Sequence, residues 1–297
     1  MTDIRFDGSG VALVTPFDDR GVNETVLGEL VRFHIDAGTD ALIICGSTGE
    51  AAAMSAAEQG RAAQIAAEAA AGEIPVVVGC GGSDTKQVAA IAKQAAAAGA
   101  DGVLLSAPPY NKPPQRGLVA HFRAVVDAAD LPAIIYNVPS RSAVNILPAT
   151  IAELAEDARF VGVKEASGDI SQVAEVARLV GDRLSIWSGN DDQVIPVMAL
   201  GGRGVISVLG NVAPAETSRM AHAWLEGNHD EALATQLRLL PLIRLLFTEP
   251  NPIPVKMAVE WLGFDTGPLR LPLTRADDAF HGKLITALGD AGIRRRP

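Results

Sequence analysis

The stretch "FVGVKEASG" (160–168) begins as a strand and ends on a cation. Val161, Gly162 and Val163 form a short apolar run, Lys164 closes it, and Glu165 and a turn of small residues follow. An ammonium is costly to remove from water, so a lysine ending a buried strand needs a reason. Seven similar runs lie along the chain: "GVALVTPF" (10–17), "ALIICGSTGE" (41–50), "PVVVGCGG" (75–82), "GVLLSAPPY" (102–110), "PAIIYNVPS" (132–140), "LSIWSGNDD" (184–192) and "GVISVLGN" (204–211). They recur every roughly 20–35 residues, the size of one strand–helix unit. Between them lie Ala-rich helical patterns such as "AAEQGRAAQIAAEAAAG" (56–72) and "DTKQVAAIAKQAAAAGA" (84–100). Both close on glycine, as helix C-termini often do.

Strands alternating with helices imply a parallel sheet, whose strands are apolar throughout because both faces are covered. Eight such units predict an α/β fold, a (β/α)8 TIM barrel. A doubly wound sheet is the alternative, but no Gly-x-Gly-x-x-Gly follows the first run, where a dinucleotide fold would place it. After about residue 225 the strands stop. Residues 1–225 are expected to form the barrel. Residues 226–297 are expected to form a C-terminal helical extension packed on it, broken at the Pro-rich turn "TEPNPIPVKM" (248–257).

The 297 residues, 48% hydrophobic and 20% charged, can build a large core. A net charge of −10 argues against nucleic acid or an anionic membrane as main partner. An anionic substrate would need local cations. Cys45 and Cys80 sit in apolar, strand-like settings, which fits a reducing compartment. The N-terminal "MTDIRFDGSG" has no signal-peptide pattern, and no apolar run approaches a membrane span. The expectation is a soluble cytoplasmic protein. His34, His121, His222, His229 and His281 show no ligand spacing, so no metal site is expected.

In such a barrel the chemistry gathers at the carboxyl ends of the strands. Those ends carry Ser47, Thr48, Tyr110, Tyr136, Asn137, Arg141, Lys164 and Gly189 to Asp191. The chain has only two tyrosines, and both fall at strand ends. A lysine pointing into the barrel mouth loses charge through desolvation or a nearby cation such as Arg141. The free amine can then form a Schiff base with a ketone. Tyrosine hydroxyls bridged by Ser or Thr can relay the protons. The "GSTGE" turn (46–50), with hydroxyls and exposed N–H groups, suits a carboxylate. Each feature has a bland counterpart: a solvated Lys–Glu pair, a capped turn, a core tyrosine, a surface arginine, a rigid Pro turn. The weight lies in their joint occurrence, each at its own strand end.

"GSTGE" (46–50), "YNVPSR" (136–141), "GVKEASGD" (162–169), "SGNDD" (188–192), "GVISV" (204–208) and "EPNPIPVK" (249–256) resemble the dihydrodipicolinate synthase family. The similarity runs in order from about residue 5 to 295; "GSTGE" and the lysine strand are shared with N-acetylneuraminate lyase and the wider superfamily. The resemblance implies condensation of pyruvate with L-aspartate 4-semialdehyde in lysine and diaminopimelate biosynthesis. It implies no cofactor beyond a covalent Schiff base of pyruvate on Lys164. Tyr136 would donate and accept protons. Ser47, where the family usually has threonine, would link Tyr136 to Tyr110 of a neighbouring subunit. Thr48 would hold the pyruvate carboxylate and Arg141 that of the semialdehyde, with Gly189 and the Ile206 backbone lining the pocket. The implied assembly is a homotetramer, a dimer of dimers. The runner-up is a related aldolase acting on N-acetylneuraminate or 2-keto-3-deoxy sugar acids, and Arg141 favours the first. A non-catalytic barrel would need neither Lys164 nor the hydroxyls.

Two departures stand out. The family often reads Tyr-Tyr-Asn where this chain has Pro109-Tyr110-Asn111. At positions where feedback-inhibited relatives hold lysine, this chain has Ala51, Ala56, Gln59, Ser83, Gln87 and Pro109. With neutral Gln87 in place of an acid, the resemblance implies no inhibition by lysine.

Overall fold

The computed structural model describes residues 4–296; residues 1–3 and 297 of the two expected units lie outside it. Eight parallel strands close into a barrel: β1 (Gly8–Ala12), β4 (Ala41–Ile44), β5 (Val76–Cys80), β6 (Gly102–Ser106), β7 (Ala133–Asn137), β8 (Phe160–Glu165), β9 (Ser185–Ser188) and β10 (Gly204–Ser207). Each corresponds to one of the eight apolar runs. A small hairpin, β2 (Phe17–Asp18) and β3 (Gly21–Val22), follows β1. The first run read as one strand over 10–17, but β1 stops at Ala12. Beyond it the Val14 N–H donates to Asn211 Oδ1 and the Thr15 hydroxyl to the Gly49 carbonyl, and Pro16 has no N–H for a ladder.

Helices α1 (Glu24–Asp36), α2 (Ala56–Ala70), α3 (Thr85–Ala97) and α4 (Gln115–Ala129) wrap the first half of the barrel. The second half carries α5 (Pro139–Ser142), α6 (Pro148–Leu154), α7 (Ile170–Val180), α8 (Val194–Ala199) and α9 (Pro214–Leu225). Three C-terminal helices follow: α10 (His229–Leu245), α11 (Ile253–Trp261) and α12 (Asp278–Asp290). Ser55 caps α2 through a reciprocal bond pair with Glu58, which satisfies otherwise orphaned N–H groups. At the other end of α2 two consecutive residues are left-handed, Ala71 (φ 50°) and the expected Gly72 (φ 77°).

Inside the barrel, glycines make room for large residues that plug its lower end. A Cβ at Gly10 would lie 2.7 Å from Phe6, one at Gly102 2.4 Å from Ile4, and one at Gly162 2.2 Å from Trp187. Phe6 and Trp187 stack with centroids 4.7 Å apart, and the Trp187 indole donates to the Phe6 carbonyl. The interior is therefore packed below and open to chemistry only at the carboxyl ends of the strands. No helix among the described residues is long and apolar enough to cross a membrane.

Candidate active site

Consecutive strand residues point to opposite faces, and this separates Lys164 from Glu165 at the end of β8. Lys164 turns inward beside Tyr136, its register partner on β7, with Nζ 4.5 Å from the ring centroid. Glu165 turns outward, buried, and accepts from Asn137 Nδ2 (3.1 Å), the Ser167 N–H (2.7 Å) and Gln172 Nε2 (3.3 Å). The surface Lys–Glu pair of the bland reading does not exist. Glu165 instead ties β7 to β8 from behind, next to the two residues that face the cavity.

Lys164 is 4% exposed. Burial pushes its ammonium down to about 8; Asp191 opposes the shift and Arg141 reinforces it. No side chain among the described residues forms an ion pair with it. Asp191 is held by the Ser207 hydroxyl (2.5 Å) and the N–H groups of Val208 (3.0 Å) and Leu209 (2.9 Å). Its carboxyl is raised, chiefly by burial. Burial pushes the Tyr136 phenol up to about 12, against a lowering by Arg141, so Tyr136 carries its proton at neutral pH. A partly deprotonated amine beside a phenol can attack a carbonyl and exchange protons with the adduct.

Gly189 flanks the lysine: a Cβ there would fall 3.1 Å from both Lys164 Cε and Cγ and 2.7 Å from Ala166 Cβ. Ile206 is buried on β10 within the barrel interior. Thr48 is 3% exposed and accepts from Asn251 Nδ2 at 2.9 Å. Arg141, on short α5, is exposed, with Nη2 3.5 Å from the Asn251 carbonyl oxygen. Lys164, Tyr136, Thr48, Gly189, Ile206 and Arg141 thus gather at one barrel mouth.

A model of the dihydrodipicolinate synthetase family matches residues 5–290. The chain belongs to that family. The 4-hydroxy-tetrahydrodipicolinate synthase of Thermoanaerobacter sp. (strain X514) is 53% identical over 289 residues, covering 97% of both chains. Among solved structures, the chloride-inhibited dihydrodipicolinate synthase of Acinetobacter baumannii complexed with pyruvate superposes with a TM-score of 0.94. It is 37% identical and covers 97% of this chain and 99% of its own. A monomeric dihydrodipicolinate synthase variant superposes equally well at 38% identity, covering 97% and 98% of the two chains.

Two residues expected in the dihydrodipicolinate synthase site stand apart from the others. Tyr110 is 91% exposed, on the loop after β6 with φ 69°. Ser47 is also exposed. Among the described residues neither side-chain hydroxyl makes a hydrogen bond.

The sequence reading assigned no role to three buried groups at this mouth. Asp191 lay within a quoted motif without a function attached. Asn251 was covered by the rigid-turn reading of "NPIPV". Lys256 is 2% exposed and pairs with Glu50 at 2.7 Å, across 206 residues of chain. Glu50 also accepts from the Arg270 N–H (2.8 Å) and takes a left-handed backbone (φ 56°) at the end of the "GSTGE" turn. Among the described residues no group of three His, Cys, Asp or Glu side chains is placed to hold a metal ion.

Proposed function

We propose that this chain condenses pyruvate with L-aspartate 4-semialdehyde to 4-hydroxy-tetrahydrodipicolinate through a Schiff base on Lys164, with no added cofactor. The observation that carries the reading is a buried lysine at a barrel strand end, without an ion-pair partner among the described residues, its amine pushed down to about 8 beside a protonated tyrosine. The free amine attacks the pyruvate ketone carbon, and loss of water leaves an iminium. The iminium withdraws electrons, so a methyl proton leaves and an enamine forms. The enamine carbon attacks the semialdehyde carbonyl, making the new C–C bond, and the aldehyde oxygen takes a proton. The amino group of the semialdehyde then displaces Lys164 from the imine carbon, closing the ring and freeing the enzyme. Tyr136 supplies and recovers protons at these steps. Thr48 and its turn hold the pyruvate carboxylate. Arg141 holds the second carboxylate, a charge-assisted contact suited to guanidinium. Gly189 leaves the space that the imine carbon needs beside the lysine stem.

The exposed Tyr110 fits a shared site: it completes the Ser47 relay only in a neighbouring subunit, so the active form is at least a dimer, as a tetramer provides. Unpaired thiols at Cys45 and Cys80 fit action in the cytoplasm. The test is turnover on pyruvate plus L-aspartate 4-semialdehyde against a panel of N-acetylneuraminate and 2-keto-3-deoxy sugar acids. Turnover confined to the first pair supports the proposal; cleavage of a sugar acid at a comparable kcat/KM contradicts it.

A further inference from the structure

The segment that leads into α11 contacts both carboxylate-binding groups of the site. Asn251 is 7% exposed. Its side-chain amide donates to the Thr48 hydroxyl, and its carbonyl oxygen lies 3.5 Å from Arg141 Nη2. The segment is held on both sides: the Ile253 N–H donates to the Pro250 carbonyl and the Lys256 N–H to that of Pro252. Five residues beyond Asn251, the Lys256 ammonium binds Glu50 (2.7 Å) and the Pro268 carbonyl (2.9 Å). The "GSTGE" turn is thus gripped at Thr48 and at Glu50 by one short stretch, and the Thr15 hydroxyl binds its Gly49 carbonyl (2.7 Å).

A threonine hydroxyl has one proton to give and two lone pairs to receive with. Asn251 Nδ2 fills a lone pair, so the hydroxyl proton is not used within the protein at that contact. The cost is visible on the same side chain: Asn251 Oδ1 is buried with no hydrogen-bond partner, an arrangement that folding alone disfavours. An apolar residue here would avoid the orphaned acceptor but would leave Thr48 free to rotate.

We propose that Asn251 is a positioning residue, fixing the Thr48 hydroxyl as a donor to the pyruvate carboxylate; the inference rests on the pyruvate reading above. It acts through Thr48 and touches no reacting atom. Because its side chain serves Thr48 and only its backbone approaches Arg141, side-chain variants weaken the pyruvate half of the site selectively.

The experiment is borohydride trapping of pyruvate on Lys164, measured by peptide mass against pyruvate concentration, with steady-state kinetics and melting temperatures in parallel. Asn251→Ala raises the pyruvate concentration for half-trapping about tenfold, the scale of one lost hydrogen bond. The KM for the semialdehyde moves less than about twofold. Asn251→Asp is worse than Asn251→Ala, because a carboxylate takes up the Thr48 proton and repels the substrate's charge. It also keeps the side-chain volume, so it carries the test if alanine loosens the turn. In a Thr48→Val background, Asn251→Ala adds less than about twofold, since both act through one hydroxyl. Half-trapping within twofold of wild type for either variant overturns the inference, whatever happens to the melting temperature. So does a Thr48→Val/Asn251→Ala loss equal to the product of the single losses. Failure of the wild-type protein to trap pyruvate at Lys164 overturns the pyruvate reading and this inference with it.

Discussion

Lys164 and Lys256 are equally buried, 4% and 2% exposed, and burial lowers the ammonium of both. Both also lie over an aromatic ring, Tyr136 at 4.5 Å and Phe17 at 4.4 Å. They differ in partner. Lys256 donates to Glu50 and to the Pro268 carbonyl, so its lone pair is unavailable and its charge is compensated. Lys164 has no ion-pair partner among the described residues; its nearest compensation is the field of Asp191, offset by Arg141. Burial therefore does not by itself make a nucleophile. Burial without a bonded carboxylate leaves the Lys164 amine available, as the proposed role needs, while the same burial with one makes Lys256 a brace for the turn that ends at Glu50.

The largest expected effects break the comparison in opposite directions. Lys164→Met abolishes turnover, by at least about a thousandfold, since nucleophilic catalysis is lost, yet it raises the melting temperature. A folded-state value of about 8 against 10.5 corresponds to a cost on the order of 3 kcal/mol below pH 8, at 1.36 kcal/mol per unit. The sign follows from proton binding. Between about pH 8 and 10.5 the unfolded chain holds a proton that the folded one has released, so stability rises with pH there. The Lys164→Met gain is then full at pH 7 and gone above about 10.5. Asp191 keeps its three hydrogen bonds in this variant. Lys256→Met does the reverse: it strands Glu50 and destabilises by about 3–5 kcal/mol, while Glu50→Gln/Lys256→Met recovers much of the loss. Thermal denaturation at pH 7 and pH 10 checks both signs; equal signs would dissolve the distinction.

A smaller effect sharpens it. The kcat/KM profile should rise with pH through an inflection near 8, reporting the free enzyme, with no fall from Tyr136 before about pH 11, given its value of about 12. Asp191→Asn should move the inflection down and Arg141→Ala up, because Asp191 raises the Lys164 value and Arg141 lowers it. An inflection that ignores both variants would assign it to another group.

The smallest effect is a null one. Lysine should not inhibit: a titration of turnover at saturating pyruvate stays flat to about a millimolar, where binding is worth roughly 4 kcal/mol. In the structure Gln59 Nε2 is spent on the Ala51 and Met54 carbonyls, and the Ser83 hydroxyl on the Pro109 carbonyl. These groups are engaged within the protein. Half-inhibition below a millimolar would show charge complementarity arising elsewhere, with exposed Asp84 the first residue to mutate.

The barrel was legible because strands covered on both faces must be apolar along their length, so eight runs in sequence became eight strands in space. Lys164 was legible for the same reason, as a charge at the end of such a run. The pairing of Lys256 with Glu50 was not, because nothing local links residues 206 positions apart, and lysine and glutamate are ordinary surface residues. Asn251 was hidden by its neighbours: two prolines explain a turn well enough that the side chain between them attracts no notice. Tyr110 was legible as one of only two tyrosines, both at strand ends; its place in a neighbour's site came from the family resemblance alone. In a single subunit it is 91% exposed, which a strand-end position in the sequence does not foretell.

The most direct measurement is peptide mapping after borohydride reduction with pyruvate, which leaves a stable carboxyethyl group on whichever lysine formed the imine. The account predicts modification at Lys164 and none at buried, paired Lys256 or exposed Lys112. Modification at Lys256 or Lys112 in place of Lys164, or none at all, would contradict it.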